Sequence, residues 1–185
     1  MLQAILKFIR NPVYEEDANT NFGYRLTILL KLVVWALALS FGLLTVIMAL
    51  EQFFAMDFGR HASEELFENF PMAAIVFLIV LVAPFVEELI FRGPLIWFRD
   101  KTYFKYAFYL SVILFGSIHL ANFSDFENHI WMAPLLVSPQ LGLGIFAGYL
   151  RVRFGLWWAV ALHATYNFIL SIPVVLADLL NLSLE

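Results

Sequence analysis

Apolar residues in this chain come in long unbroken runs, not in the alternation of a half-buried strand, and charges cluster between the runs. Uncharged stretches cover residues 32–50, 70–86, 106–124, 128–150 and 154–177. A helix that crosses a bilayer needs about 20 apolar residues, so the pattern predicts five spans. The fourth is irregular, because Pro134 and Pro139 fall inside it. Ser138-Pro139 reads as an N-cap followed by a first-turn proline, which predicts a broken or re-entrant helix. The second half of that run, Leu141-Gly-Leu-Gly-Ile-Phe-Ala-Gly148, offers small residues for close helix packing.

The first residues follow a different rule. Leu2, Ile5, Leu6 and Ile9 recur at helical spacing while Lys7 and Arg10 fall on the other side. This predicts an interfacial amphipathic helix over residues 1–12, ahead of a single membrane domain occupying 1–185. It is not read as a secretory signal, which would place its basic residues before a continuous apolar core.

Composition agrees with the runs. Of 185 residues, 62% are hydrophobic and 14% charged, against about 45–50% and 25% in soluble domains. The predicted fold is therefore all-α: a polytopic helical membrane protein whose first partner is the lipid bilayer. The absence of cysteine excludes disulfides, thiolate metal sites and a cysteine nucleophile. A net charge of −4 argues against nucleic acid as a partner.

Cytoplasmic loops collect Lys and Arg. Lys7, Arg10, Arg25 and Lys31 precede the first span, Arg99, Lys101 and Lys105 separate the second from the third, and Arg151 and Arg153 separate the fourth from the fifth. Arg60 alone lies on the opposite side, in a loop with Glu51, Asp57, Glu64, Glu65 and Glu68. The N-terminus is expected in the cytoplasm and the C-terminus outside. His61 and His129 are expected to be solvated in loops.

Polar groups inside the hydrocarbon cost several kcal/mol and mark function by default. Three clusters qualify: Glu87-Glu88-Leu-Ile-Phe-Arg92, Phe115-Gly-Ser-Ile-His119 and His163-Ala-Thr-Tyr-Asn167. On a helix, Glu88 and Arg92 share a face and should pair. Glu87 points about 100° away and is left as the freer carboxylate. At about 1.5 Å per residue, Glu87 lies ~18 Å from Arg99, His119 ~21 Å from Lys105 and His163 ~15 Å from Arg153. All three anchors are on one side, so three helices bring polar groups to similar depth.

Such a set suits hydrolysis. Glu87 with His119 can take a proton from water, and His163 with Asn167 can donate to an oxyanion. Alternatively, Glu87, His119 and His163 form a two-His, one-carboxylate set for catalytic Zn2+ with an open position. Spacing alone leaves both readings open. Two non-catalytic readings compete: a membrane protein that binds a partner, and haem ligation by His119 and His163, which leaves Glu87, Glu88 and Asn167 unexplained.

The segments Glu87-Glu88-Leu-Ile-Phe-Arg92-Gly, Phe115-x-x-x-His119 and His163-x-x-x-Asn167 resemble the three ordered motifs of the CPBP intramembrane proteases, the CAAX prenyl endopeptidase and bacteriocin-processing family. Leu141-Gly-x-Gly-x-x-x-Gly148-Tyr and Phe154-Gly-Leu-Trp resemble that family's approach to its last motif. The likeness covers about residues 70–170. It implies a helical membrane endopeptidase acting on membrane-tethered peptides or proteins. In it Glu87, Glu88, Arg92, His119, His163 and Asn167 form the site, with a metallo- or a metal-free glutamate mechanism. A bacterial cell membrane is the expected location, and bacteriocin self-immunity is the non-catalytic alternative within the family.

Overall fold

The computed structural model describes residues 1–55, 58–59 and 62–180, the side chains of Ser63, Glu64, Glu65 and Glu68 excepted. Asp57, Arg60, His61 and those three glutamate side chains, on which the charge of the 51–69 loop was read, lie outside the described residues. The described residues contain no strand.

Helix α1 (Leu2–Arg10) and an extended strap lead into α2 (Phe22–Phe54). At 1.5 Å per residue, α2 is about 50 Å long and overshoots a hydrocarbon layer of about 30 Å. Arg25 and Lys31, expected before the first span, lie in its first turns, so the excess length is on the basic side. Leu29, Leu32, Val33, Ala36 and Ser40 form its buried stripe. After α3 (Ala62–Asn69), the second span runs over Met72–Phe98 as α4 (Met72–Phe77), a π-turn (Leu78–Val82), α5 (Ala83–Phe91) and a 3-10 turn (Gly93–Phe98). Then α6 (Phe104–Ile118) continues into a 3-10 turn at His119–Asn122.

The irregular fourth run is broken, as Pro134 and Pro139 suggested. A 3-10 segment (Phe126–Met132) and α7 (Ala133–Leu136) meet α8 (Ser138–Phe154) at a 41° bend. Both prolines occupy first-turn positions, where a missing N–H costs nothing. The cap expectation fails: Ser138 is inside the helix, and its hydroxyl donates to the Leu135 carbonyl at 2.6 Å. Gly155, with φ at 102°, turns the chain into α9 (Leu156–Leu179). Among the described residues four helices are long and apolar enough to cross a membrane, or five when the bent pair is counted as one span.

The least apolar of these elements is the centre of the bundle. Helix α8 packs on α2, α6 and α9, and its Gly142, Gly144, Ala147 and Gly148 are buried. A Cβ on Gly148 would stand 2.6 Å from Cε2 of the fully buried Phe108. Gly148→Ala is expected to cost about 1–3 kcal/mol by overpacking, readable as a lower melting temperature in detergent.

Helix α1 is amphipathic as expected, but it also enters the core through a residue outside the predicted apolar set. Phe8 packs edge-on against Phe108 and Tyr149, Ile5 is buried, and the Tyr109 hydroxyl donates to the Ile9 carbonyl. Leu2 and Leu6 stay exposed. The following strap is tied to the end of α8, where Asp17 meets Arg153 at 3.0 Å. Burial pushes the Asp17 carboxyl up, but the Asn19 N–H and Arg153 outweigh it and hold the group below its ordinary range.

His129, expected in solvent, packs its ring on Phe58 at 5.2 Å and lies 3.9 Å from the Asp125 carboxylate. Phe58, Ile47, Met132 and Leu136 form a small second core on that side, with Leu120 and Phe123 packed against it.

Candidate active site

A proline inside an apolar helix removes a donor and crowds the preceding turn. Pro84, at the start of α5, has this effect in the second span, and the turn before it widens to the π form. The Ala83 N–H bonds the Leu78 carbonyl, five residues back. The next such bond would run from position 84 to Ile79, and proline has no hydrogen to give. The widened turn also resets the phase of everything that follows by about one residue, or 100°. Glu87 and Glu88 are placed by that reset.

Glu87 faces the two histidines. Its Oε2 lies 4.0 Å from His119 Nε2 and 3.9 Å from His163 Nε2. The side chain of Glu87 is 22% exposed and that of His119 18%. The opposite ring nitrogens are anchored: His119 Nδ1 is 2.8 Å from the Phe115 carbonyl and His163 Nδ1 is 3.0 Å from Glu88 Oε1. A carbonyl or carboxylate only accepts, so each Nδ1 carries a hydrogen and each ring turns its Nε2 toward Glu87. A carboxylate from α5, an imidazole from the 3-10 turn that ends α6 and an imidazole from α9 thus converge.

Glu88 and Arg92 form the predicted pair, Oε1 to Nη1 at 3.3 Å, with both side chains fully buried. The Arg92 guanidinium lies 4.0 Å over the Phe115 ring. That ring also packs against His119 and His163, with centroids at 4.9 and 5.6 Å. Gly144 makes the space, since a Cβ there would stand 2.9 Å from Arg92 Nη2.

Gly93-Pro94 ends α5, and its last carbonyls are taken up by other helices. Ser111 Oγ donates to the Phe91 carbonyl at 2.7 Å, and Arg151 Nε to that of Arg92 at 3.0 Å. Arg151, read as an orientation charge in a loop, is instead buried on α8. It also donates to the Tyr14 hydroxyl on the strap at 3.0 Å.

Residues 69–169, more than half the chain, match the family described as Type II CAAX prenyl endopeptidase Rce1-like. The chain belongs to the Rce1-like family. No curated protein and no solved structure matches it. As an Rce1-like protein it falls among the CAAX-type intramembrane proteases, in agreement with its apolar helices and buried polar cluster. The matched stretch holds all six residues singled out from sequence, whereas Tyr14 lies outside it.

The structure brings Glu87, His119 and His163 to one point and sets Glu88 and Arg92 behind them. Asn167 is engaged differently, its Nδ2 donating to the Ile79 carbonyl at 2.7 Å. Sequence reading missed four contributors: Pro84, the Ile79 carbonyl, the Phe115 ring as a floor, and Arg151. Pro84 and Phe115 carried a visible signal, one as a proline inside an apolar run and the other as the first residue of the His119 motif.

The three side chains suit a divalent metal chemically, but their spacing does not. Two ligands on one tetrahedral zinc sit about 3.3 Å apart, closer than the 3.9 and 4.0 Å found here. Among the described residues, no group of three or more His, Asp or Glu side chains has the spacing of a metal site.

Beside the cluster, a groove of about 390 Å³ runs between α4 and α9. Met72, Ile75 and Val76 line one wall, Ser171 and Val175 the other, and Asn167 and Ile79 stand at its inner end. Of the six residues singled out from sequence, Asn167 is the one that lines it.

Proposed function

We propose that this protein is an intramembrane endopeptidase that hydrolyses peptide bonds of membrane-tethered substrates by a glutamate mechanism. The observation that carries this is the position of Glu87 Oε2, 4.0 and 3.9 Å from two imidazole Nε2 atoms whose other nitrogens are anchored. Such gaps are too wide for direct hydrogen bonds and suit one bridging water.

The hydrolytic water gives a proton to Glu87 while His119 Nε2 accepts its second hydrogen and orients the oxygen for attack. The new C–O bond forms as the carbonyl π pair moves onto oxygen. His163 enters the step protonated on Nε2, with Glu88 accepting from its Nδ1; it donates that hydrogen bond to the oxyanion and keeps the proton when the intermediate collapses, and the second Nδ2 hydrogen of Asn167 assists. Collapse breaks the C–N bond, and the proton held by Glu87 passes to the leaving amine. No step passes through a metal ion. The α4–α9 groove gives an apolar segment a lateral path to Asn167, and the basic side of the bundle is read as cytoplasmic.

Purified protein in liposomes, given membrane-tethered peptides, is expected to yield two fragments whose masses sum to the substrate plus one water. Turnover is expected to persist in strong zinc chelators. An intact library overturns the endopeptidase reading, and abolition by chelator with recovery on added zinc overturns the glutamate mechanism.

A further inference from the structure

Resting on the endopeptidase reading, we infer that Asn167 is a positioning residue for Glu87: its side-chain amide replaces the backbone donor that Pro84 withholds from the Ile79 carbonyl, and so holds the π-turn that aims α5.

In the widened turn, hydrogen bonds run from a residue to the carbonyl five positions back, as from Ala83 to Leu78. The following one requires an N–H at position 84, where Pro84 stands fully buried. A backbone carbonyl left without a donor in a membrane interior is costly, because no bulk water reaches it. Ile79 escapes this through a side chain from another span: Asn167 Nδ2 lies 2.7 Å from its oxygen. The acceptor is a carbonyl, so the contacting atom of Asn167 must be the nitrogen.

The bond joins α9 to the second span three residues before the fixed end of the turn at Val82, and Glu87 follows about one and a half helical turns later. Four residues before Asn167 on α9, His163 makes the second connection, to Glu88. The two bonds bracket the segment from Ile79 to Glu88 and fix the rotation of α5 about its axis. Glu87 Oε2 has no hydrogen bond of its own, so its aim depends on that rotation. Asn167 consequently retains one N–H for a substrate, and its share in oxyanion binding is a single hydrogen bond.

A cycle on the intact protein tests this. Pro84→Ala restores an N–H at position 84, giving Ile79 a backbone partner. Asn167→Ala is expected to lower the melting temperature by about 5 °C when Pro84 is present, and by less than half of that in the Pro84→Ala background. In the Pro84 protein, kcat is expected to fall by about tenfold or more with KM unchanged.

Asn167→Asp reads the same contact with Pro84 in place. Protonated, its carboxyl donates to Ile79 as the amide does; ionised, it sets an acceptor against an acceptor. Its melting temperature is expected to approach that of the wild type at low pH and to fall away from it as pH rises, each compared with the wild type's own profile. Equal losses from Asn167→Ala in both backgrounds, or an Asn167→Asp profile that parallels Asn167→Ala, overturn the inference. These melting measurements need no substrate, so they decide the contact separately from turnover. A wild type that cleaves nothing overturns the function instead.

Discussion

Glu87→Gln is expected to lower the rate of peptide cleavage by about 10² to 10⁴-fold, the range for loss of a general base, while leaving the melting temperature within a degree of the wild type. Both halves follow from the geometry. Glutamine keeps the shape of the side chain but cannot take a proton from water. The fold does not lean on this carboxylate, since its Oε2 makes no hydrogen bond and its imidazole neighbours stand 3.9 and 4.0 Å away. Rates from purified protein in liposomes, set beside a thermal melt of the same sample, check both. Undiminished turnover removes Glu87 from the reaction, and a large drop in melting temperature makes it a structural group.

The largest stability effect is expected one residue later. Glu88 and Arg92 are fully buried and paired at 3.3 Å, and the Arg92 nitrogens find no hydrogen-bond acceptor of good geometry. Removing one partner strands a charge in a low-dielectric interior, at a cost of about 3–5 kcal/mol. Arg92→Met and Glu88→Gln should each unfold the protein far below the wild-type temperature. The double substitution Glu88→Gln with Arg92→Met leaves no buried charge and keeps an acceptor for His163 Nδ1, so it is expected to be more stable than either single change. Denaturant titration of the three variants reads the order directly. A double variant as unstable as the sum of the two single losses contradicts the assignment of the cost to the stranded charge.

The spans were legible in the sequence because a bilayer leaves little choice: a run of apolar residues long enough to cross forms a helix and crosses. The convergence of Glu87, His119 and His163 was legible for a related reason. Each lies a measurable number of residues from a charge anchored at one interface, so depth follows from counting along a helix. Rotation about the helix axis does not follow from counting. It is set by the π-turn, whose cause, Pro84, is visible, but whose closing donor, Asn167, lies on a helix far along the chain.

Arg151 was misread for a comparable reason. A basic residue next to a predicted loop is ordinarily an interfacial anchor. Its burial comes from the carbonyl exposed where Gly93-Pro94 ends α5 and from the Tyr14 hydroxyl, two partners that sequence order does not bring near. The central place of α8 was hidden because apolarity usually marks burial, and this helix is buried by its small residues instead. Phe8 fell outside the apolar face assigned to the first helix, yet it is the residue that docks that helix on Phe108.

The most direct test is the distance between the Glu87 carboxylate and the ring nitrogens of His119 and His163 in lipid. Protein labelled with 13C at glutamate carboxyls and 15N in histidine rings, studied by solid-state NMR dipolar recoupling, reports it. We expect carboxyl carbon to dephase Nε2 of both histidines, and the effect on His119 to vanish in Glu87→Gln labelled only at glutamate. A His119 ring untouched by any glutamate carboxyl would mean that the second and third spans do not share a site, and the proposed hydrolysis would lose its base.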